Sequence, residues 1–134
     1  MLLKGKRIFI VEDNLNNRAI MQLLLEQQGA VVSFERWGTE TLQRLQAFAP
    51  VDIILLDLMF PNNVTGYDIF DQIRTDLAFE SVPIVAVSAS DPSVAIPKTR
   101  EKGFAGFLLK PIRNNTFAPQ ILSIMEGNPI WQNR

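Results

Sequence analysis

Asp57 ends the apolar run Val51-Asp52-Ile53-Ile54-Leu55-Leu56, where a buried strand emerges into solvent and a carboxylate is free to react. Three other apolar runs end in polar groups capable of chemistry. Glu12-Asp13 follows Ile8-Phe9-Ile10-Val11, Ser88 follows Ile84-Val85-Ala86-Val87, and Lys110 follows Gly106-Phe107-Leu108-Leu109. Each alone is ordinary, because acids and Ser cap helices and Lys is common in loops. Together they bring three carboxylates, a hydroxyl and an ammonium to the ends of separate strands. Carboxylates crowded at one edge repel, and a divalent cation relieves the repulsion. The chain has no Cys and no His, so ligation is by oxygen alone, which favours a hard ion such as Mg²⁺. Metal and Lys110 together would neutralise an incoming phosphoryl group, and Asp57 would be the nucleophile.

The elements that must position these groups alternate along the chain. A first strand at Arg7–Val11 leads to a helix capped by Asn14, carrying Leu15, Ala19, Ile20, Leu23 and Leu24 and stopped by Gly29. A strand at 31–34 precedes a helix with Leu42, Leu45 and Ala49 on one face, ending before Pro50. The third strand spans Val51 to Leu56, and the next helix places Ile69, Phe70, Ile73 and Leu77 on one stripe. After the fourth strand, Pro92 and Pro97 predict a short helix beginning near Pro97 and finishing at Gly103. The fifth strand runs from Gly106 to Leu109, and a last helix carries Phe117, Ile121, Ile124 and Met125 inward. Residues 127–134 read as a loose tail. Alternating strands and helices imply a doubly wound α/β fold with a five-stranded parallel sheet flanked by five helices. Ligands of such sheets lie beyond the carboxyl ends of the strands, where the polar groups fall.

Composition narrows the classes. The chain has 134 residues, 47% of them hydrophobic, enough for one domain. A formal charge of −1 provides no basic field for nucleic acid or an anionic membrane. No apolar stretch is long enough for a bilayer span, and the start lacks a secretion signal, so a cytoplasmic protein is expected. Gly103 and Gly106 form no dinucleotide fingerprint, since a strand follows them, and no phosphate-binding Gly-Lys-Ser/Thr loop exists. Trp37 and Trp131 read as partial packing residues.

Four motifs in order resemble the receiver domain of bacterial two-component response regulators: Ile10-Val11-Glu12-Asp13-Asn14, Leu55-Leu56-Asp57-Leu58-Met59, Val87-Ser88-Ala89 and Phe107-Leu108-Leu109-Lys110-Pro111. The resemblance covers nearly the whole chain, with 1–126 as receiver and no residues left for an output domain. It implies a flavodoxin-like sheet of order 2-1-3-4-5. It also implies that Asp57 accepts a phosphoryl group from a phosphohistidine on a sensor histidine kinase or histidine phosphotransfer protein. Glu12, Asp13, Asp57 and the carbonyl of Met59 would hold Mg²⁺. Ser88 would act as the switch hydroxyl and Lys110 would contact a phosphoryl oxygen. Ala89 would leave room for the donor, and Pro111, after a cis peptide bond, would aim Lys110 inward. Phe107 takes the place of the switch aromatic, or is simply a core residue of the fifth strand. Output would pass through the surface of the fourth helix, fifth strand and fifth helix to a downstream protein or, on phosphorylation, a second subunit.

The chain departs from the family in the loop Phe60-Pro61-Asn62-Asn63-Val64-Thr65-Gly66, which is one residue longer, with Thr65 where Asp is common. Asn62 and Asn63 tolerate left-handed conformations, so a bulged loop is expected. Two other functions are compatible with the residues. An aspartyl-phosphate phosphatase would use Asp57 and Mg²⁺, but such enzymes carry a second Asp two residues on, where this chain has Met59. A pseudo-receiver acting only as an interaction module would not need the full set of acids, Ser88 and Lys110.

Overall fold

A computed structural model describes all 134 residues. Its strands are β1 (Arg7–Val11), β2 (Val31–Glu35), β3 (Ile53–Leu56), β4 (Ile84–Ser88), β5 (Gly106–Leu109) and β6 (Ile130–Trp131). Its helices are α1 (Leu15–Gln27), α2 (Thr41–Phe48), α3 (Gly66–Arg74), α4 (Pro92–Lys102) and α5 (Phe117–Met125). The strands form one parallel sheet of order β2-β1-β3-β4-β5-β6. This is the expected doubly wound fold with one strand added.

The alternation of side chains along each strand divides the core in two. Ile8, Ile10, Ile53, Leu55, Val85, Val87 and Leu108 pack on one face with Met21, Leu25, Phe117 and Ile121 of α1 and α5. Phe9, Val11, Ile54, Leu56, Ala86 and Phe107 pack on the other with Leu45, Ile69, Phe70, Ile73 and Ala95 of α2, α3 and α4. Because both faces are covered, the central strands are apolar at every position. The polar residues are thereby confined to the strand ends.

Several expectations are corrected. Residues 127–134 are not loose, because Ile130 and Trp131 pair with Gly106 and Phe107 as β6. The fourth helix begins at Pro92, not near Pro97. Pro92 needs no N–H in the first turn, and the Asp91 carboxylate accepts from the Ser93 N–H at 3.0 Å. Pro97 lies inside the helix, whose inner side is buried through Ala95 and Thr99 and which is closed by Gly103 at φ +107°. In α1 the buried residues are Met21 and Leu25, while Leu15, Ile20 and Leu23 are exposed. Leu77 is exposed in a 3₁₀ turn after α3, and Phe79 is buried in its place. Ala49 lies exposed past the end of α2, and Phe48 packs on the core instead.

Candidate functional site

The register of the sheet brings the polar strand ends together. Val11 is opposite Leu56, so Glu12 and Asp57 leave adjacent strands at the same level, and the Asp57 N–H donates to the Val11 carbonyl at 3.1 Å. Ser88 is opposite Leu109, and the Lys110 N–H donates to the Ser88 carbonyl at 3.0 Å. The Lys110 ammonium bridges the two acids, with Nζ 2.7 Å from Glu12 Oε1 and 2.8 Å from Asp57 Oδ2. The second oxygen of Asp57, Oδ1, accepts from the Leu58 N–H at 2.7 Å. Glu12 Oε2 accepts from the Asn14 N–H at 3.2 Å. The peptide bond between Lys110 and Pro111 is cis.

Glu12 is 1% exposed and Asp57 7%. Burial pushes the Glu12 carboxyl up to about 7, and the nearby Asp57 charge adds to the push while Lys110 opposes it. Burial pulls the Lys110 ammonium down, but its hydrogen bonds and charge pairing with Asp57 and Glu12 outweigh this, and the net direction is upward. One ammonium therefore does not fully compensate the buried acids. One oxygen each from Glu12, Asp13 and Asp57 lies within 4.8 Å of the others. That span is near the roughly 4 Å across an octahedral Mg²⁺ ion, and the all-oxygen donor set fits such a hard ion.

Asp13 is half-buried beside Glu12. The Ser88 hydroxyl is bonded to the Ser90 hydroxyl, 2.9 Å between oxygens, and accepts from the Ser90 N–H at 3.3 Å. Ala89 is exposed at the mouth of the site. The Met59 side chain is 69% exposed, and its N–H lies 3.5 Å from Asp57 Oδ1. Phe107 is fully buried in the core that also holds Ala95 of α4, and it pairs with Trp131 of β6; burial is common to both readings of it. Asn62 and Asn63 adopt φ of 63° and 62°, the bulged loop expected from their types. Thr65 ends that loop by capping α3, its hydroxyl accepting from the Asp68 N–H at 3.2 Å.

Four positioning residues were not singled out from sequence. Gly66 passes so close to the end of β3 that a Cβ there would lie 2.2 Å from the Asp57 carbonyl oxygen. Its N–H donates to the Leu58 carbonyl at 2.9 Å. Glu35 is 3% exposed, and its carboxylate accepts from the Gly38 N–H at 2.9 Å and the Thr41 hydroxyl at 2.7 Å. The Glu35 carbonyl accepts from the Glu12 N–H at 3.2 Å, and Arg36 Nε donates to the Asp13 carbonyl at 3.0 Å. The β2–α2 loop thus holds the backbone that carries both acids. Ser90, two residues beyond Ser88, is the fourth. Its signal was only a second hydroxyl nearby.

Known proteins agree with this architecture. A family model described as the response regulator receiver domain matches residues 8–121. The chain is 29% identical over 120 residues to the polar-differentiation response regulator DivK of Brucella ovis, covering 90% of this chain and 96% of that protein. It is also 29% identical over 120 residues to hybrid signal transduction histidine kinase D of Dictyostelium discoideum, covering 88% of this chain but 7% of that protein. The chain spans half or less of the length of several such relatives, including 50% of a two-component response regulator of Oryza sativa subsp. japonica. Among solved structures, the chemotaxis response regulator CheY4 of Vibrio cholerae has the same fold, with a TM-score of 0.80, 21% identity and coverage of 90% and 99%. The receiver domain of a sensor histidine kinase from Pseudomonas aeruginosa, solved with magnesium in its active-site cleft, gives a TM-score of 0.78 at 26% identity, covering 92% and 99%. No helix of this chain is long and apolar enough to cross a membrane. With its sheet order, strand-end acids and matched length taken together, the chain belongs to the response regulator receiver domain family.

Proposed function

We propose that this protein is a Mg²⁺-dependent phosphoacceptor switch of a two-component phosphorelay, acting in the cytoplasm, with Asp57 as the residue modified. The observation that carries the reading is the Lys110 ammonium held between Glu12 and Asp57 at 2.7 and 2.8 Å on a strand-end carboxylate that is nearly buried. An Asp57 oxygen attacks the phosphorus of a phosphohistidine on a sensor kinase or histidine phosphotransfer protein. The new O–P bond forms as the P–N bond breaks, and the donor imidazole leaves with the electron pair. Lys110 exchanges its contact with the Asp57 carboxylate for one with a phosphoryl oxygen, and the Leu58 N–H steadies the other carboxyl oxygen. Glu12, Asp13, Asp57 and the Met59 carbonyl would hold Mg²⁺, which supplies charge neutralisation for the transferring group.

Ser88 is the switch. Its hydroxyl leaves Ser90 for the new phosphoryl oxygen, which pulls the end of β4 and loosens the contacts of α4. The signal reaches protein partners through α4, β5 and α5, by a downstream target or by a second copy. The protein turns over no separate substrate, since Met59 offers no acid for a leaving group. The test is intact-mass spectrometry after incubation with acetyl phosphate. One added phosphoryl group is expected with Mg²⁺, and none in Asp57→Asn or with the metal chelated. An unmodified parent protein would sink the reading.

A further inference from the structure

An edge strand presents a row of unpaired N–H and C=O groups, and β5 would be such an edge. In this chain the segment after α5 folds back onto it. Gly127 turns the backbone at φ +92°, and Ile130 and Trp131 then run parallel to Gly106 and Phe107. The Gln132 N–H donates to the Phe107 carbonyl at 2.8 Å. The Gln132 side-chain carbonyl accepts from the Leu109 N–H at 2.9 Å, substituting for the backbone of a longer strand. Gly106 permits this approach, because a Cβ there would lie 2.9 Å from the Ile130 carbonyl oxygen. Trp131 is half-buried, packed on the core beside α4, with the Arg100 guanidinium 5.1 Å from its ring centre.

The pairing of β6 is the shortest in the sheet, two residues where every other pair has three or more. It lies on the face assigned above to output, and its Gln132 contact is to the residue next to Lys110. We propose that the outer edge of β5 is a strand-docking site for an extended segment of a protein partner, and that Asn128–Gln132 is its built-in occupant, which the partner displaces. The occupant itself defines what fits: an extended parallel backbone, an aromatic ring beside Arg100, and an amide side chain to accept from Leu109. Addition of a strand to an open sheet edge uses main-chain bonds for affinity and such side chains for selection. That the partner is an output protein rests on the phosphoacceptor reading. The exchange itself does not.

The test uses the full chain and a fluorescein-labelled peptide, Asn-Pro-Ile-Trp-Gln-Asn-Arg, copying residues 128–134. Trp131→Ala removes the ring that anchors the occupant and leaves the edge intact, whereas Trp131→Ala combined with Gly106→Ala also puts a methyl group against any backbone docked there. Trp131→Ala should bind the peptide, read by fluorescence anisotropy, about tenfold or more tighter than the parent, whose own segment competes, and the double variant should not bind it. A peptide with Ala for Trp should bind none of the three. Equal binding by all three proteins, or no binding by Trp131→Ala when its circular dichroism matches the parent's, would overturn the proposal. So would dimers of the variants that exclude the peptide, since these assign the edge to a second copy. Phosphorylation by acetyl phosphate in the same samples separates the two readings: an unmodified parent sinks the phosphoacceptor assignment, and normal modification without peptide binding sinks only the docking edge.

Discussion

Gly66→Ala is expected to damage the Asp57 site from outside it. A methyl group at residue 66 would lie 2.2 Å from the Asp57 carbonyl oxygen, 2.8 Å from the Leu58 Cα and 3.0 Å from the Asp57 carbonyl carbon. All three are backbone atoms of the strand end that carries the Asp57 carboxylate, so no flexible side chain can yield. Relief requires the two chains to separate by about 1 Å, which also breaks the 2.9 Å bond from the Gly66 N–H to the Leu58 carbonyl. Overpacking costs about 1–3 kcal/mol and the lost bond about 1 kcal/mol, so a loss of about 3 kcal/mol is expected. At a urea slope of about 2 kcal/mol/M, this moves the unfolding midpoint down by about 1.5 M. The same displacement moves Asp57 relative to Lys110, and a misplacement of about 1 Å slows reaction by about 100-fold. Gly103→Ala is the control, since its nearest neighbour is the Phe70 ring tip at 3.6 Å and its cost of about 1 kcal/mol comes from the left-handed φ alone. It should phosphorylate at the parent rate. A Gly66→Ala protein with the parent's midpoint and rate, or a Gly103→Ala protein equally slow, would refute the reasoning.

Other outcomes follow from the same geometry. The Glu12 carboxyl, pushed to about 7 against an ordinary 4.5, takes up a proton on folding. Its contribution is therefore present below about pH 4.5 and lost as pH rises through about 7, so the metal-free parent should lose more stability over that window than Glu12→Gln in paired urea titrations. Mg²⁺ should reverse that loss, raising the midpoint more at about pH 8 than at about pH 5. Lys110→Ala leaves two buried carboxylates without their cation and should cost on the order of 2 kcal/mol in metal-free buffer, largely restored by Mg²⁺. This variant should also phosphorylate without altering hydrogen exchange in α4; an α4 response equal to the parent's would show that Lys110 is not part of the coupling. Pro97→Ala supplies the N–H missing inside α4 and should raise stability by about 1–3 kcal/mol, measured by thermal or urea unfolding.

The strand-end groups were legible in the sequence because each closes a run that is apolar at every position, and a parallel sheet fixes which ends share an edge. Glu12, Asp57, Ser88 and Lys110 needed only that rule to be brought together. The β6 strand was not legible, since two residues carry no period and Ile130-Trp131 becomes a strand only where Gly106 leaves room for its backbone. In α4, local reasoning about Pro97 gave way to tertiary packing, with Ala95 and Thr99 buried and Asp91 and Gly103 closing the ends. The apolar residues of α1 lie on several sides of the helix, so spacing alone did not separate buried Met21 and Leu25 from exposed Ile20 and Leu23. Glu35 looks in sequence like an ordinary polar strand end. Its burial depends on the N–H groups that the following turn directs at it, and turn geometry is not written in composition.

The most direct measurement of the central claim locates the modified residue. Borohydride reduces an aspartyl phosphate to homoserine, so protein treated with acetyl phosphate and Mg²⁺, then reduced and digested, reports the site by peptide mass. Homoserine at position 57, and only there, is the predicted result. Reduction of a phosphorylated Glu12 would give 5-hydroxynorvaline and of Asp13 homoserine, both in the fragment that carries residues 12 and 13 and not in the one that carries residue 57, and modification at either, or none anywhere, would contradict the account.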